Sequence, residues 1–310
     1  MDNLVGVILS AGKGSRIDPF NTHYPKPLLP VGNVPILGHH LARLKDVGIR
    51  DVKIVVGHLM DQIINHFGRG NEHGVAIQYV EQHQTLGIAH AVARVEPHVS
   101  GPILLCLGDI FYLTKGLDRM VARYRRGDVA AVIAVMEDRD PASLSKIFSV
   151  EVDAAGYVHR VVEKPRNAKT ALKGCGIYLF GLEVFDAIHK TPRTALRDEY
   201  EITTTLQIMI DDGLKVAAEA VVDWDLNITF PKDLLAGNVH YLDHVGADTL
   251  VDPSARIHPG ARLVKSVVGR DVVVDAPISV EETVILPGSR VTAQEDLRRA
   301  IVSREIVIRC

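Results

Sequence analysis

The sequence predicts an α/β fold, a mostly parallel mixed sheet flanked by helices, with a small β-helix at its C-terminal end. Three observations carry this. Through the first two-thirds of the 310 residues, short apolar runs alternate with amphipathic segments. The apolar runs are continuous, as in strands covered on both faces. After about residue 248, apolar residues recur at roughly six-residue steps between turn residues.

Each element follows from its pattern. Residues 5–9 read as a buried strand, and 36–47 as a helix with Leu37, Leu41 and Leu44 on one face. Residues 51–56 form a second strand, 60–67 a second helix and 76–80 a third strand. Residues 89–95 are helical, 103–107 a strand ending at Gly108-Asp109, 117–126 a helix and 129–135 a strand. From Phe148 the pattern becomes a hairpin, 149–152 and 158–162 around a turn at 153–156. A strand at 175–180 and a helix at 202–211, ending at Gly213, follow. Open sheets of this kind bind ligands beyond the carboxyl ends of their strands. The informative loops are those after Leu9, Val80 and Leu107. In the tail, Val251, Ile257, Leu263, Val267 or Val268, Val273 or Val274, Ile278, Val284 and Val291 mark the short period. That period implies coils of a left-handed β-helix. The domains expected are 1–240 and 250–310, with a linker near 238–249. A tail of few coils exposes its ends and is expected to bury them in homo-oligomer contacts.

Composition narrows the function. Lys and Arg number 35 against 38 Asp and Glu, a net charge of −3. This excludes the basic face of a nucleic-acid binder; the basic cluster at 119–126 reads as a solvated helix face. Cys106, Cys175 and Cys310 lack CxxC spacing, so no disulfide framework or zinc site is expected. The N-terminal residues have no basic region and too short an apolar run for a secretory signal. No stretch has the length of a membrane span. The expectation is a cytoplasmic protein.

The segment LSAGKGSR at 9–16 and PKPLLPV at 25–31 carry the first chemistry. Gly12 and Gly14 follow a buried strand, where backbone N–H groups can converge on a phosphate. Lys13, Arg16 and Lys26 add positive charge. Pro25 and Pro27 restrict the backbone around Lys26. Together they read as a polyphosphate clamp. AGKGSR is neither the dinucleotide GxGxxG nor the P-loop GxxxxGK[ST].

The two-part motif resembles the signature of the sugar-phosphate nucleotidyltransferases, over roughly residues 1–240. The family includes glucose-1-phosphate thymidylyl- and uridylyltransferases, N-acetylglucosamine-1-phosphate uridylyltransferases and mannose-1-phosphate guanylyltransferases. The resemblance implies a Rossmann-like fold, Mg²⁺, a nucleoside triphosphate and a sugar-1-phosphate or similar acceptor. It puts Leu9, Ala11, Gly12, Gly14, Ser15, Gln82, Gly87 and Ile88 against the nucleotide. Ser15 stands where Thr is usual, and so does Ile88. Gln82 and the Gly87 backbone would read a pyrimidine edge, which favours UTP or dTTP. An amide suits this because it both donates and accepts.

Asp109, at the carboxyl end of a buried strand, suits Mg²⁺, which takes hard oxygen ligands. In the family, the matching Gly-Asp pair supplies a metal ligand. The segment DWDLNITFPKDLL at 223–235 resembles the family's closing segment and brings Asn227 to the second metal position, with Asp225 as the alternative. Asp233 is expected to cap the following helix. VVEKP at 161–165 implies Glu163 on sugar hydroxyls and Lys164 on the acceptor phosphate. GCGIYLF, with Gly174 in place of a frequent Asn or Ala, resembles the segment lining the sugar pocket. Glu201 in DEYEITTTLQ would face sugar hydroxyls; Glu199 or Glu201 could instead serve a helix N-terminus. One segment departs from the family. Many relatives carry Y-G-x-V before the EKP hairpin, whereas LSKIFSVEVD at 144–153 has no Gly. Ile147 or Phe148 there would crowd a standard hexose.

The reaction implied is in-line attack of the acceptor phosphate on the α-phosphorus, with pyrophosphate leaving. Arg16, Lys26 and Lys164 act as the catalytic cations. The alternative is a non-catalytic regulatory subunit of the same fold, against which stand the retained Arg16, Lys26, Asp109 and Lys164. A β-helix acyltransferase is disfavoured by the short tail.

Overall fold

Burial follows the apolar runs. The computed structural model describes residues 3–20, 24–195, 198–292, 295–304 and 306–310. Strand β1 (Val5–Ser10) precedes a short hairpin of β2 (Pro30–Val31) and β3 (Val34–Pro35), then helix α1 (Ile36–Asp46). Next come β4 (Asp51–Val56), α2 (Met60–Phe67), β5 (Ala76–Glu81), α3 (Ile88–Ala93), β6 (Ile103–Leu107) and β7 (Ile110–Thr114). They are followed by α4 (Leu117–Tyr124), β8 (Ala131–Glu137), the single turn α5 (Pro141–Leu144), β9 (Phe148–Val152), β10 (Val158–Glu163) and β11 (Leu172–Phe180). Helices α6 (Glu183–Lys190) and α7 (Ile202–Asp211) lead to β12 (Val216–Ala220) and β13 (Val222–Asn227). Helix α8 (Pro231–Val245) opens the tail.

Chain contacts divide the protein into two compact units. The first runs to Gly12 and resumes over His40–Asp225; the second comprises Lys13–His39 and Leu226–Cys310.

In the first unit the main sheet has the order β10-β9-β11-β6-β1-β4-β5, with β8 on β11 and β12 on β8. Strand β1 is parallel to β4 and β6, and β4 to β5. Strand β11 runs antiparallel to β6, β8 and β9. The sheet is thus mixed, and its parallel part carries the loops singled out in the sequence. Leu37, Leu41 and Leu44 are fully buried on one face of α1. Phe148, Tyr178 and Phe180 form an aromatic row, Tyr178 stacking on Phe180 at 5.5 Å and on Phe148 at 6.3 Å. Such pairs add about 0.5–1.5 kcal/mol each beyond their burial. Three strands were not expected from the sequence. Ile-Phe-Tyr-Leu-Thr, rich in β-formers, resumes as β7 one residue after Asp109 and pairs with β13; β12 is the third.

In the second unit, α8 carries Pro231 at its first turn and ends on Gly246 in the left-handed conformation. Residues 238–245, expected as the start of a linker, are therefore helical. The short tail strands stack in parallel. Leu250 pairs with Val267, Val267 with Val284 and Val284 with Ile301. Arg256 pairs with Val273, and Val273 with Arg290. Every step is 17 residues, and the strand starts at 250, 256, 262 and 267 show why: one side of each coil is one residue short of a six-residue repeat. The core of the coils is Val268, Val274, Ile278, Val280, Ile285, Val291 and Val302. The last strand (Ile306–Arg309) turns back antiparallel along Leu297–Ser303. Among the described residues no helix is long and apolar enough to cross a membrane.

Candidate functional site

Strands β6, β1, β4 and β5 run parallel in that order, and the carboxyl ends of β1, β5 and β6 deliver Ala11 and Gly12, Gln82, and Asp109. The backbone stitches them. Gly108 N–H donates to the Leu9 carbonyl at 2.9 Å, and Gln82 N–H to the Val56 carbonyl at 2.8 Å. Asp109 is half-buried in the turn between β6 and β7.

Gln82 is buried, and its amide Nε2 lies 2.9 Å from His90 Nδ1. Burial, with Arg94 nearby, lowers the His90 pKa against the pull of a hydrogen bond to the Gln84 backbone. A neutral ring that donates its other N–H to Gln84 accepts at Nδ1, so Gln82 turns its NH₂ to His90. The Gln82 carbonyl oxygen is left to accept from a ligand.

The loop bearing Gly87 and Ile88 is joined to the segment before α7. Tyr200 N–H donates to Leu86 O at 2.7 Å, and Ala89 N–H to Tyr200 O at 3.0 Å. Gly87 has φ +112°, and a Cβ there would stand 2.4 Å from Tyr200 O. Only glycine permits both the conformation and the approach. The next residue along, Glu201, is buried and accepts from Thr194 Oγ1 at 3.3 Å.

Three adjacent strands set the far side. Glu163 on β10 pairs with Phe148 on β9, whose neighbour Ser149 pairs with Lys173 on β11. Glu163, Phe148 and Gly174 thus form one cross-strand row on one face. Glu163 Oε2 accepts from Thr203 Oγ1 at 3.2 Å. Lys164 has φ +44°, uncommon away from glycine. Its N–H donates to Ile147 O at 2.7 Å, which fixes this turn. The tip of the Phe148 ring stands over Gly174; a Cβ on residue 174 would lie 1.8 Å from its Cζ.

Asp225 has a partner of its own. Lys173 Nζ reaches Asp225 Oδ1 at 2.6 Å and Asp138 Oδ2 at 3.3 Å, with all three side chains largely buried. Burial alone would lower the Lys173 pKa, but the neighbouring acidic groups, Asp225 foremost and then Asp138, together raise it. Burial alone would raise that of Asp138; the Ser143 hydroxyl, the Asp140 N–H and Lys173 hold it below the usual range.

The second unit holds Gly14, Ser15, Arg16, Lys26 and Asn227. Its two halves of the N-terminal motif meet: the stem of Lys26, itself buried, fills the space beside Gly14. Ser15 and Arg16 are exposed. The turn after the PKP segment is pinned from several sides. Asn238 of α8 accepts from Gly32 N–H at 2.9 Å and donates to Pro30 O at 3.0 Å, and Asn33 Nδ2 donates to Val268 O of the coils at 2.9 Å. Asn227 is exposed and its Oδ1 accepts from Thr229 Oγ1 at 3.2 Å. Asp233 accepts from the Thr229 and Phe230 N–H groups, a helix cap as expected.

Sequence reasoning missed His90, Tyr200, Thr203, Lys173 and Asn238. For His90 a signal existed, a second polar residue eight positions after Gln82 on the next helix. The others act across more than thirty residues, beyond any local pattern.

Residues 5–236 match the family model described as nucleotidyl transferase, and residues 243–310 the one described as GlmU-like, C-terminal hexapeptide. The chain is 35% identical over 235 residues to the low-salt glycan biosynthesis nucleotidyltransferase Agl11 of Haloferax volcanii, covering 75% of this chain and 64% of that one. It is 30% identical over 276 residues to the bifunctional protein GlmU of Methanococcus aeolicus, covering 89% and 60%. The chain thus spans less than two-thirds of the length of either relative. A Bacillus anthracis structure, provisionally described as a glucose-1-phosphate thymidylyltransferase, superposes with a TM-score of 0.69 at 27% identity, covering 77% of this chain and 96% of that one. The fold is therefore the Rossmann-like sheet with a left-handed β-helix expected from the sequence.

Proposed function

The chain belongs to the nucleotidyl transferase family, and from that premise we propose that it joins a nucleoside triphosphate to a sugar-1-phosphate and releases pyrophosphate. One observation carries the reading: the loop after β1, the Gln82 amide after β5 and Asp109 after β6 all stand at the carboxyl ends of the parallel run β6-β1-β4-β5, where such sheets hold nucleotides.

An oxygen of the acceptor phosphate attacks the α-phosphorus. A new P–O bond forms as the α–β bridge breaks, and pyrophosphate departs with the bonding electrons. A phosphate monoester is already nucleophilic at neutral pH, so positioning and charge neutralisation are the whole task. Arg16 and the loop N–H groups of Gly12 and Gly14 neutralise the departing pyrophosphate. Lys26 steadies the triphosphate, and Lys164 the acceptor phosphate. Glu163, Glu201 and the backbone at Gly174 hold the sugar. Leu9, Ala11, Ser15, Gly87 and Ile88 complete the nucleotide contacts.

Members of this family generally use a divalent metal, and we take it to be Mg²⁺ here. Among the described residues no three His, Cys, Asp or Glu side chains cluster as a ligand set. That fits Mg²⁺, which keeps water and substrate phosphate in most positions and needs one or two protein oxygens. Asp109 and Asn227 are the ligands in this reading. Asp225 is set aside because its Oδ1 is already held by Lys173 at 2.6 Å. When bound, the metal neutralises phosphate charge.

The His90 bond to Gln82 supports UTP or dTTP. The carbonyl oxygen it leaves outward accepts the N3–H of uracil or thymine, whereas cytosine N3 offers a lone pair. Assembly as a homo-oligomer through the tail and a cytoplasmic location complete the proposal; light scattering on the purified chain tests the assembly. No observation favours the non-catalytic alternative.

The test is pyrophosphate release with Mg²⁺ across five nucleoside triphosphates and a panel of sugar-1-phosphates, with Asp109→Ala as control. Turnover with UTP or dTTP, lost in the variant, supports the reading. No turnover with any pair rejects it.

A further inference from the structure

Three strands converge on the acceptor side of the site. From β10 comes Glu163, from β9 Phe148, and from β11 Gly174, all in one row and on one face. Farther along β11 the register slips between Gly174 and Tyr178, and Gly176 packs on Leu107 and Ile110, on either side of Gly108-Asp109. The stretch Gly174-Cys175-Gly176 is thus a floor running from the Glu163 row to the Asp109 turn. A sugar held between Glu163 and Asp109 rests on this floor.

The floor is not open at its Glu163 end. Phe148 leans over Gly174, with Cζ, Cε2 and Cε1 at 1.8, 2.2 and 2.4 Å from where a Cβ would stand. The ring is 6% exposed and is fixed from behind by stacking on Tyr178. It cannot swing aside without breaking that stack. It fills the volume that a side chain on residue 174 would take, and it brings no donor or acceptor. A hydroxyl or amide of the acceptor directed at this point would lose water and gain no partner.

We infer that Phe148 and Gly174 together select the acceptor, a sugar 1-phosphate with one polar substituent fewer than glucose 1-phosphate. Deoxyhexose and pentose 1-phosphates fit; N-acetylhexosamine 1-phosphates do not. The inference rests on the proposed reaction and on Glu163 facing the sugar.

The experiment compares the wild type with the exchange Phe148→Gly/Gly174→Asn. The acceptors are glucose, N-acetylglucosamine, xylose, 2-deoxyglucose and 6-deoxyglucose 1-phosphates, with UTP and dTTP. The wild type is expected to favour a deoxy or pentose acceptor over glucose 1-phosphate by at least ten-fold in kcat/KM, and the exchange to reverse that order. If the exchange fails to fold by thermal scan, Phe148→Ala replaces it, with glucose 1-phosphate expected to gain at least five-fold relative to the deoxy acceptors. A wild type that prefers glucose or N-acetylglucosamine 1-phosphate overturns the inference and leaves the reaction standing. So does an order of preference that the variants leave unchanged. Silence of every protein on every acceptor removes the reaction, and this inference with it.

Discussion

Replacing Gly87 with alanine tests whether the loop after β5 and the segment before α7 behave as one piece. Gly87 sits at φ +112° and ψ 172°, a region essentially closed to other residues, and forcing one into it costs about 1–3 kcal/mol. The new Cβ would also lie 2.4 Å from Tyr200 O and 2.7 Å from its N. Ordinary contact begins near 3.4 Å, so the Tyr200 backbone must retreat by about 1 Å. Its two bonds, to Leu86 O and from Ala89 N–H, lie on either side of the clash. Losing both adds about 2 kcal/mol. The total is about 3–5 kcal/mol, and at roughly 2 cal/mol/K per residue the melting temperature falls by about 5–8 °C. A shift of this size at a site that works by positioning lowers kcat/KM by about 100-fold. Both are read by thermal unfolding and by pyrophosphate release. The control is Gly127→Ala, at φ +76° with nothing within 4 Å, which carries only a backbone cost of about 1 kcal/mol. If Gly87→Ala matches that control in melting temperature and in kcat/KM, the two loops are not coupled and the reasoning is wrong.

Three further outcomes follow from the same contacts. Lys173→Met leaves Asp225 and Asp138 without their buried cation. It should cost about 3–5 kcal/mol, and adding Asp225→Asn should recover part of the loss in thermal unfolding. Asp138 is held below its ordinary pKa, so its stabilisation is present above the unfolded carboxylate value near pH 4 and is lost as pH falls through the lower folded value. Ser143→Ala removes its 2.6 Å donor, and the acid unfolding midpoint, followed by circular dichroism, should move to higher pH. His90→Leu frees the Gln82 amide to turn either way, and the UTP over CTP ratio of kcat/KM should fall about ten-fold; an unchanged ratio would show that His90 does not orient Gln82.

Much of the fold is readable along the chain because it is set by local pattern. Strands Asp51–Val56 and Ile103–Leu107 and helices Met60–Phe67 and Ile202–Asp211 stand at the boundaries their periodicity indicates. β12 escaped because Val-Ala-Ala-Glu-Ala is poor in strand formers, and its pairing with β8 joins residues eighty-five positions apart. The tail period was visible only as irregular sixes, since a 17-residue coil has no single short repeat. For the site, residue types at loop ends were legible, and so was the oddity of a missing glycine near Phe148. What the chain could not disclose were exchanges across distance. The emptiness at Gly174 makes sense only once Phe148, twenty-six positions earlier, is seen above it. Likewise the bond from Lys173 to Asp225 joins residues fifty-two positions apart.

The uniform 17-residue step of the tail also has a genetic meaning. Each coil is encoded by about fifty nucleotides, and any in-frame duplication of that length adds one more layer, about 4.8 Å thick, in register with its neighbours. Insertions of other sizes must bulge at a corner or throw every later strand out of phase. The tail can therefore lengthen in whole coils after the layer of Val268 without disturbing the carbonyl there that holds Asn33. Its length is open to drift by copying, while its first coils are tied to the lysine loop they support.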